Sequence, residues 1–166
     1  FNGVVIANEV VDAMPVHRFK LMEDGVYESY VDVDETGNLF ETFRLCSNRE
    51  LLQYVKRVLP SNMMTPYQSE VNLFLQPWLE QCYGMLTQGA MLLIDYGYPR
   101  HEYYHPERSS GTLMCHYRHH AHTNPFLHPG EEDITAHVDF TQVAEAAVSA
   151  GFHVAGYCNL SLIHIS

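Results

Sequence analysis

The chain has 166 residues, one domain's worth of length, and 46% of them are apolar, enough for a core. Its formal charge of −11, from 9 basic and 20 acidic residues, excludes general binding to a nucleic-acid backbone. The 11 histidines would offset part of that deficit once protonated, below about pH 6.5. Cys46, Cys82, Cys115 and Cys158 lie far apart and form no C-x-x-C, so neither a zinc knuckle nor a dithiol redox motif is expected. Isolated cysteines of this kind suit buried thiols in a reducing compartment. No apolar run reaches the roughly 18 residues of a membrane span, and no stretch reads as a signal peptide.

GVVIANEV (3–10) is a short β-branched apolar run and predicts a buried, parallel strand. From His17 to Cys46 apolar and polar residues alternate, with turn signals at Glu23-Asp24-Gly25 and Thr36-Gly37-Asn38. This predicts a three-strand antiparallel meander inserted after the first strand. Ser47-Asn48-Arg49-Glu50 can cap a helix through LLQYVKRVL, which stops at Pro60. SNMMTPYQ (61–68) reads as a loop. A helical stripe from Ser69 to Leu86 follows, and Pro77 within it predicts a kink or a later start.

AMLLIDYG (90–97) predicts a second buried strand. Residues 98–130 hold seven of the histidines and are too long for an ordinary connection, so an ordered excursion is expected. Asp139 or Thr141 caps the helix FTQVAEAAVSAGF, which ends near Gly151. HVAGYCNL (153–160) reads as a last strand. The element order is that of an α/β fold.

Two apolar strands therefore end in polar clusters, VVIA into NEVVDAMP and MLLI into DYGYP. Ligands of open α/β sheets bind beyond the carboxyl ends of the strands, so Asn8, Glu9, Asp12, Asp95 and Tyr96 fit one crevice. The residues alone leave an alternative open. Asn8 and Glu9 could cap the next helix, and Asp12 could pair with a neighbouring arginine.

NEVVDAMPVHRF, LLIDYGYPRHEYYHPERSSGTLMCHYRHHAH and PGEEDITAHVDF together resemble the MidA-like methyltransferases, which include a mitochondrial assembly factor for respiratory complex I. The likeness spans nearly all of residues 3 to 159. It implies a partial Rossmann-like class I methyltransferase sheet with an antiparallel β insertion after the first strand. It also implies S-adenosyl-L-methionine as cofactor and transfer of a methyl group to protein arginine.

On that resemblance Glu9 and Asp12 are the catalytic candidates, clamping a substrate guanidinium through paired carboxylates. Asn8 is the cofactor-binding candidate, and Tyr96, Tyr98 and His137 are the substrate-binding candidates. Asp139 reads first as an ordinary N-cap. The expected partner is a protein presenting arginine, with no nucleic acid, no membrane span and a homodimer allowed. The expected location is bacterial cytoplasm, or the mitochondrial matrix in a eukaryote. The competing function is a non-catalytic, partner-binding module.

One departure matters. Class I methyltransferases hold the cofactor at a glycine-rich turn, and this sequence has no G-x-G. Residues 1–159 are therefore expected to be the second part of a catalytic domain whose glycine-rich motif lies upstream. LSLIHIS (160–166) resembles a translated sequencing adaptor, with a natural strand as the alternative. His116, His119, His120 and His122 have spacings that could ligate zinc or nickel. Methyl transfer from a sulfonium needs no metal, so no metal ligands are assigned. The segment is read instead as a lid or substrate-recognition surface shaped by Tyr103, Tyr104, Tyr117 and Arg118.

Overall fold

A computed structural model describes residues 1–159. The adaptor-like stretch 160–166 lies outside the described residues. Strand β1 (Asn2–Asn8) ends before Glu9, and is followed by β2 (His17–Met22), β3 (Gly25–Val33) and β4 (Leu39–Leu45). Helix α1 (Arg49–Val58) comes next, then β5 (Tyr67–Val71), α2 (Leu75–Met85) and β6 (Gln88–Ile94). The excursion contains β7 (Gly97–Tyr98), α3 (Arg100–Tyr103), β8 (Met114–Tyr117), β9 (His120–His122) and β10 (Asp133–Thr135). Strand β11 (Val138–Asp139) leads directly into α4 (Phe140–Ala150).

β1 and β6 pair in parallel, in register from Asn2–Gln88 to Asn8–Ile94. This places the two polar strand ends side by side, as the apolar runs predict. One face of the pair packs on a core of Val11, Leu75, Leu79, Val143 and Ala146 from the acidic loop, α2 and α4. The other face carries Val4 and Ile6, each 66% exposed, and Leu92 at 51%. The expectation of a strand buried on both faces thus holds for one face among the described residues.

The meander has four strands, in the order β4-β3-β2-β5. β5 was expected to be loop and helix. It pairs antiparallel with β2 from His17–Val71 to Leu21–Tyr67, so its backbone groups are satisfied by the sheet. The helix starts only at Leu75, after Asn72 Oδ1 accepts from the Phe74 N–H at 3.0 Å. Pro77 then stands in the first turn, where its missing N–H has no intrahelical partner to lose.

A second core joins the meander to α1 and α3, with Phe19, Leu51, Tyr67, Val71, Tyr103 and Tyr104 buried in it. Tyr103 and Tyr104, expected in a lid, are core residues, because short α3 turns them under the sheet. HVAGYCNL forms no strand over its described part. Phe152 lies edge-on to Tyr83 and Tyr157 packs on Phe140.

Both helix starts follow their capping residues. The Asn48 side chain accepts from the N–H groups of Glu50 and Leu51 at 3.1 and 3.2 Å. Asn48→Ala should lower stability by about 1 kcal/mol, the usual loss for an N-cap, read as a lower urea midpoint with unchanged slope. Asp139 caps α4 through Thr141 and Gln142 at 3.0 and 3.1 Å, as its first reading has it. Gly151 closes α4 at φ 108°, the left-handed conformation that favours glycine.

Candidate functional site

The chain leaves β1 with Glu9 at φ 50°, unusual for a non-glycine residue, while the Glu9 N–H still donates to the Ile94 carbonyl at 2.9 Å. The tight turn that follows is pinned from β6. Asp95 Oδ2 accepts from the N–H groups of Val11 and Asp12 at 3.0 and 3.2 Å. Asn8 and Glu9 are thereby presented to solvent at the strand mouth, and Asp12 is turned inward, 8% exposed. Asp12 Oδ1 is buried without a hydrogen-bond partner.

Three carboxylates thus converge at this turn, Glu9 and Asp12 from the turn itself and Asp95 from the end of β6. Burial first, then Asp95 and Glu9, push the Asp12 pKa above the ordinary aspartate value. An acid with a raised folded-state pKa binds more protons folded than unfolded in the window just above its unfolded value. Its stability contribution is full below that value and is lost as pH rises through the folded pKa. Asp12→Asn should therefore melt higher than the parent at pH 7, with the advantage shrinking as pH falls through the raised Asp12 pKa and gone below the ordinary aspartate value of about 4. An unchanged difference across a pH series of thermal melts would contradict this.

On the other side of Asp95, Gly97 and Tyr98 pair in parallel with Val138 and Asp139. Gly97 permits the close approach: a Cβ there would stand 2.0 Å from the Val138 carbonyl oxygen. This pairing sets His137 edge-on to Tyr98, with ring centroids 5.2 Å apart. Arg108 lies over the Tyr98 ring at 4.1 Å. Burial, then Arg108, lowers the His137 pKa, and Asp95 partly counters them. The imidazole is neutral at pH 7, and its Nδ1 is buried and unpartnered. The Ala136 N–H donates to the Asp12 carbonyl at 2.9 Å, tying the acidic turn to the segment that carries His137.

The structure therefore brings Asn8, Glu9, Asp12 and Asp95 into one group, with Tyr98 and His137 beside it. Tyr96 is 62% exposed at the rim. Asp12 is not paired with an arginine and Asn8 caps no helix, so neither alternative for those residues holds. Arg108 and Thr112, whose hydroxyl accepts from the His137 N–H at 3.1 Å, were not singled out in the sequence. Thr112 meets His137 only across 25 residues of chain, and neither residue belongs to a local motif.

None of the glycines with left-handed φ follows the carboxyl end of β1 or β6. What these residues present at the strand mouth is an exposed amide and carboxylate beside two further carboxylates, a set that favours a cationic hydrogen-bond donor. A glycine cradle for an adenosyl group is not among the described residues.

Comparison with known proteins shows the family. A Burkholderia thailandensis crystal structure superposes with TM-score 0.84 at 42% identity, covering 91% of this chain and 40% of that one. A second structure from Burkholderia thailandensis, bound to S-adenosyl-homocysteine, gives 0.82 at 42%, covering 91% and 38%. The Drosophila melanogaster protein arginine methyltransferase NDUFAF7 homolog, mitochondrial, is 29% identical over 158 residues, 90% of this chain and 33% of that protein. The chain thus spans about a third of the length of that relative. With its residues 1–158 matched by the family model, the chain belongs to the family described as "Putative S-adenosyl-L-methionine-dependent methyltransferase".

Proposed function

We propose that this chain forms the acceptor-facing part of an S-adenosyl-L-methionine-dependent methyltransferase that acts on arginine side chains of proteins. The supporting observation is the carboxylate group at the mouth of two parallel strands, with one buried Asp12 oxygen left unpartnered. Such a group needs a cation or several donors. A guanidinium supplies both, as a planar fork of donors carrying one positive charge.

In this reading the cofactor supplies the methyl group from its sulfonium, and Asn8 is the residue of this chain that would touch it. Glu9 takes two guanidinium N–H groups. Asp12 accepts from the same guanidinium, which removes the repulsion it feels from Asp95 and Glu9. The clamp holds one nitrogen in line with the methyl group, and orientation of this kind lowers a barrier by several kcal/mol in general, on the order of 7–11 at most. Tyr96 and Tyr98 wall the entrance. Neutral His137 lines it without repelling the incoming cation.

The arginine acceptor is supported by the name of the Drosophila relative, which also places that protein in mitochondria. A link to respiratory complex I assembly rests on the family resemblance. Among the described residues no helix is long and apolar enough to cross a membrane. The test is mass spectrometry of protein extract from cells lacking the gene, incubated with the intact protein and S-adenosyl-L-methionine. New methylarginine supports the proposal. Unmodified arginine alongside tight protein partners would favour the binding module.

A further inference from the structure

We infer that Cys115, His122 and Glu132 form a zinc-type metal site that clips the β10-β8-β9 sheet together, a different set from the histidine run considered in the sequence. Cys115 and His122 are a directly opposed pair in the β8–β9 hairpin, and Glu132 immediately precedes β10, whose Ile134 pairs with Cys115 on the other side. One ligand atom from each of the three lies within 4.8 Å of the others. Cys115 is fully buried, and the Glu132 side chain is 0% exposed. Both Glu132 oxygens and both His122 ring nitrogens are buried without a hydrogen-bond partner, although His122 Nε2 lies 3.0 Å from Glu132 Oε2.

A buried carboxylate without donors is costly unless a cation neutralises it. One thiolate and one carboxylate balance a dication, and a neutral imidazole adds a third donor. Mixed S, N and O ligands suit zinc. Magnesium and calcium take all-oxygen sets. Three protein ligands leave a fourth tetrahedral position for water. Binding releases the Cys115 thiol proton to solvent, so affinity rises with pH.

The other histidines of the run do not join. His116, His119 and His120 are exposed. The hairpin turn places Arg118 and His119 at φ 47° and 70° without a glycine, and the three-strand sheet buries little apolar surface. A metal clip is a known way to hold so small a sheet. Because β10 runs into Ala136 and His137, the clip also positions one wall of the crevice.

The experiment is titration of untagged, metal-stripped intact protein with Co²⁺, then competition with Zn²⁺, watching the sulfur-to-cobalt charge-transfer band. The expected result is one ion per chain, with a charge-transfer band that Cys115→Ser abolishes. Glu132→Gln should keep the band but weaken binding by at least the roughly 10–100-fold that loss of a supporting group costs. The His116→Ala/His119→Ala/His120→Ala triple variant should bind like the parent. Absence of the band in the parent would overturn the inference. So would its persistence in folded Cys115→Ser, or loss of binding in the triple variant. Should Cys115→Ser not fold, unchanged affinity in Glu132→Gln would overturn it alone.

Discussion

Glu9→Gln in the intact protein should lower kcat/KM for an arginine peptide by roughly 10–100-fold, the loss of a charge-assisted hydrogen bond of about 1.5–3 kcal/mol. The substitution keeps the shape of the side chain and removes its charge. Glu9 is exposed and has no hydrogen-bonded side-chain partner to lose, so the melting temperature should stay unchanged. That separation of activity from stability marks a residue that meets substrate. Steady-state kinetics beside a thermal melt gives both readings. Activity within about threefold of the parent would sink the clamp, since a single lost charge-assisted contact predicts more than this.

The largest stability loss is expected at Arg100. Its Nε donates to Asp139 at 3.1 Å, its two terminal nitrogens grip Glu145 at 2.7 and 2.8 Å, and it reaches the Tyr54 hydroxyl at 3.3 Å. One guanidinium thereby ties α3 to α1, to the cap of α4 and to the middle of α4. Its side chain is 19% exposed and that of Asp139 only 2%. Arg100→Met would leave Asp139 buried and charged with only its capping contacts and Tyr54. Breaking a buried pair in this way costs about 3–5 kcal/mol. For a chain of this size that is a drop in melting temperature of roughly 10 °C. The Arg100→Met/Asp139→Asn double variant should recover part of the loss, because the stranded charge is gone. Equal melting of the two variants would show that Asp139 does not depend on Arg100. Glu145, 45% exposed, contributes less, since solvent screens it.

The strand ends of the site were legible because their signal is local. VVIA and MLLI are β-branched or apolar runs that stop at acids, and parallel strands ending together put those acids in one place. The helix caps at Asn48 and Asp139 were legible for the same reason. What was not legible depends on partners far along the chain. YQSEV became a strand because β2 offers it an edge, yet its Val71 also continued the helical stripe of Phe74, Leu75 and Trp78. Only the pairing separates the two periods. Tyr103 and Tyr104 looked like lid aromatics because nothing nearby says that α3 dives beneath the meander. The Tyr98–His137–Arg108 group needs the β7–β11 pairing, 40 residues apart. Cys115, His122 and Glu132 meet only once the hairpin turns at Arg118-His119, a pair without the usual glycine or asparagine.

The acid loop holds its shape locally. Asp95 fixes its shape through backbone amides and so does not depend on side-chain packing elsewhere. The loop would persist when a substrate arrives, and a preorganised anion cluster is what a guanidinium needs.

We propose that this cluster recognises the charge of arginine. Calorimetric titration of the intact protein, saturated with S-adenosyl-homocysteine, should compare one peptide carrying arginine with the same peptide carrying citrulline, its neutral near-isostere. The expected result is at least a roughly tenfold preference for arginine, about 1.4 kcal/mol, that disappears in the Glu9→Gln/Asp12→Asn variant. Equal affinity of the two peptides for the parent protein would contradict it.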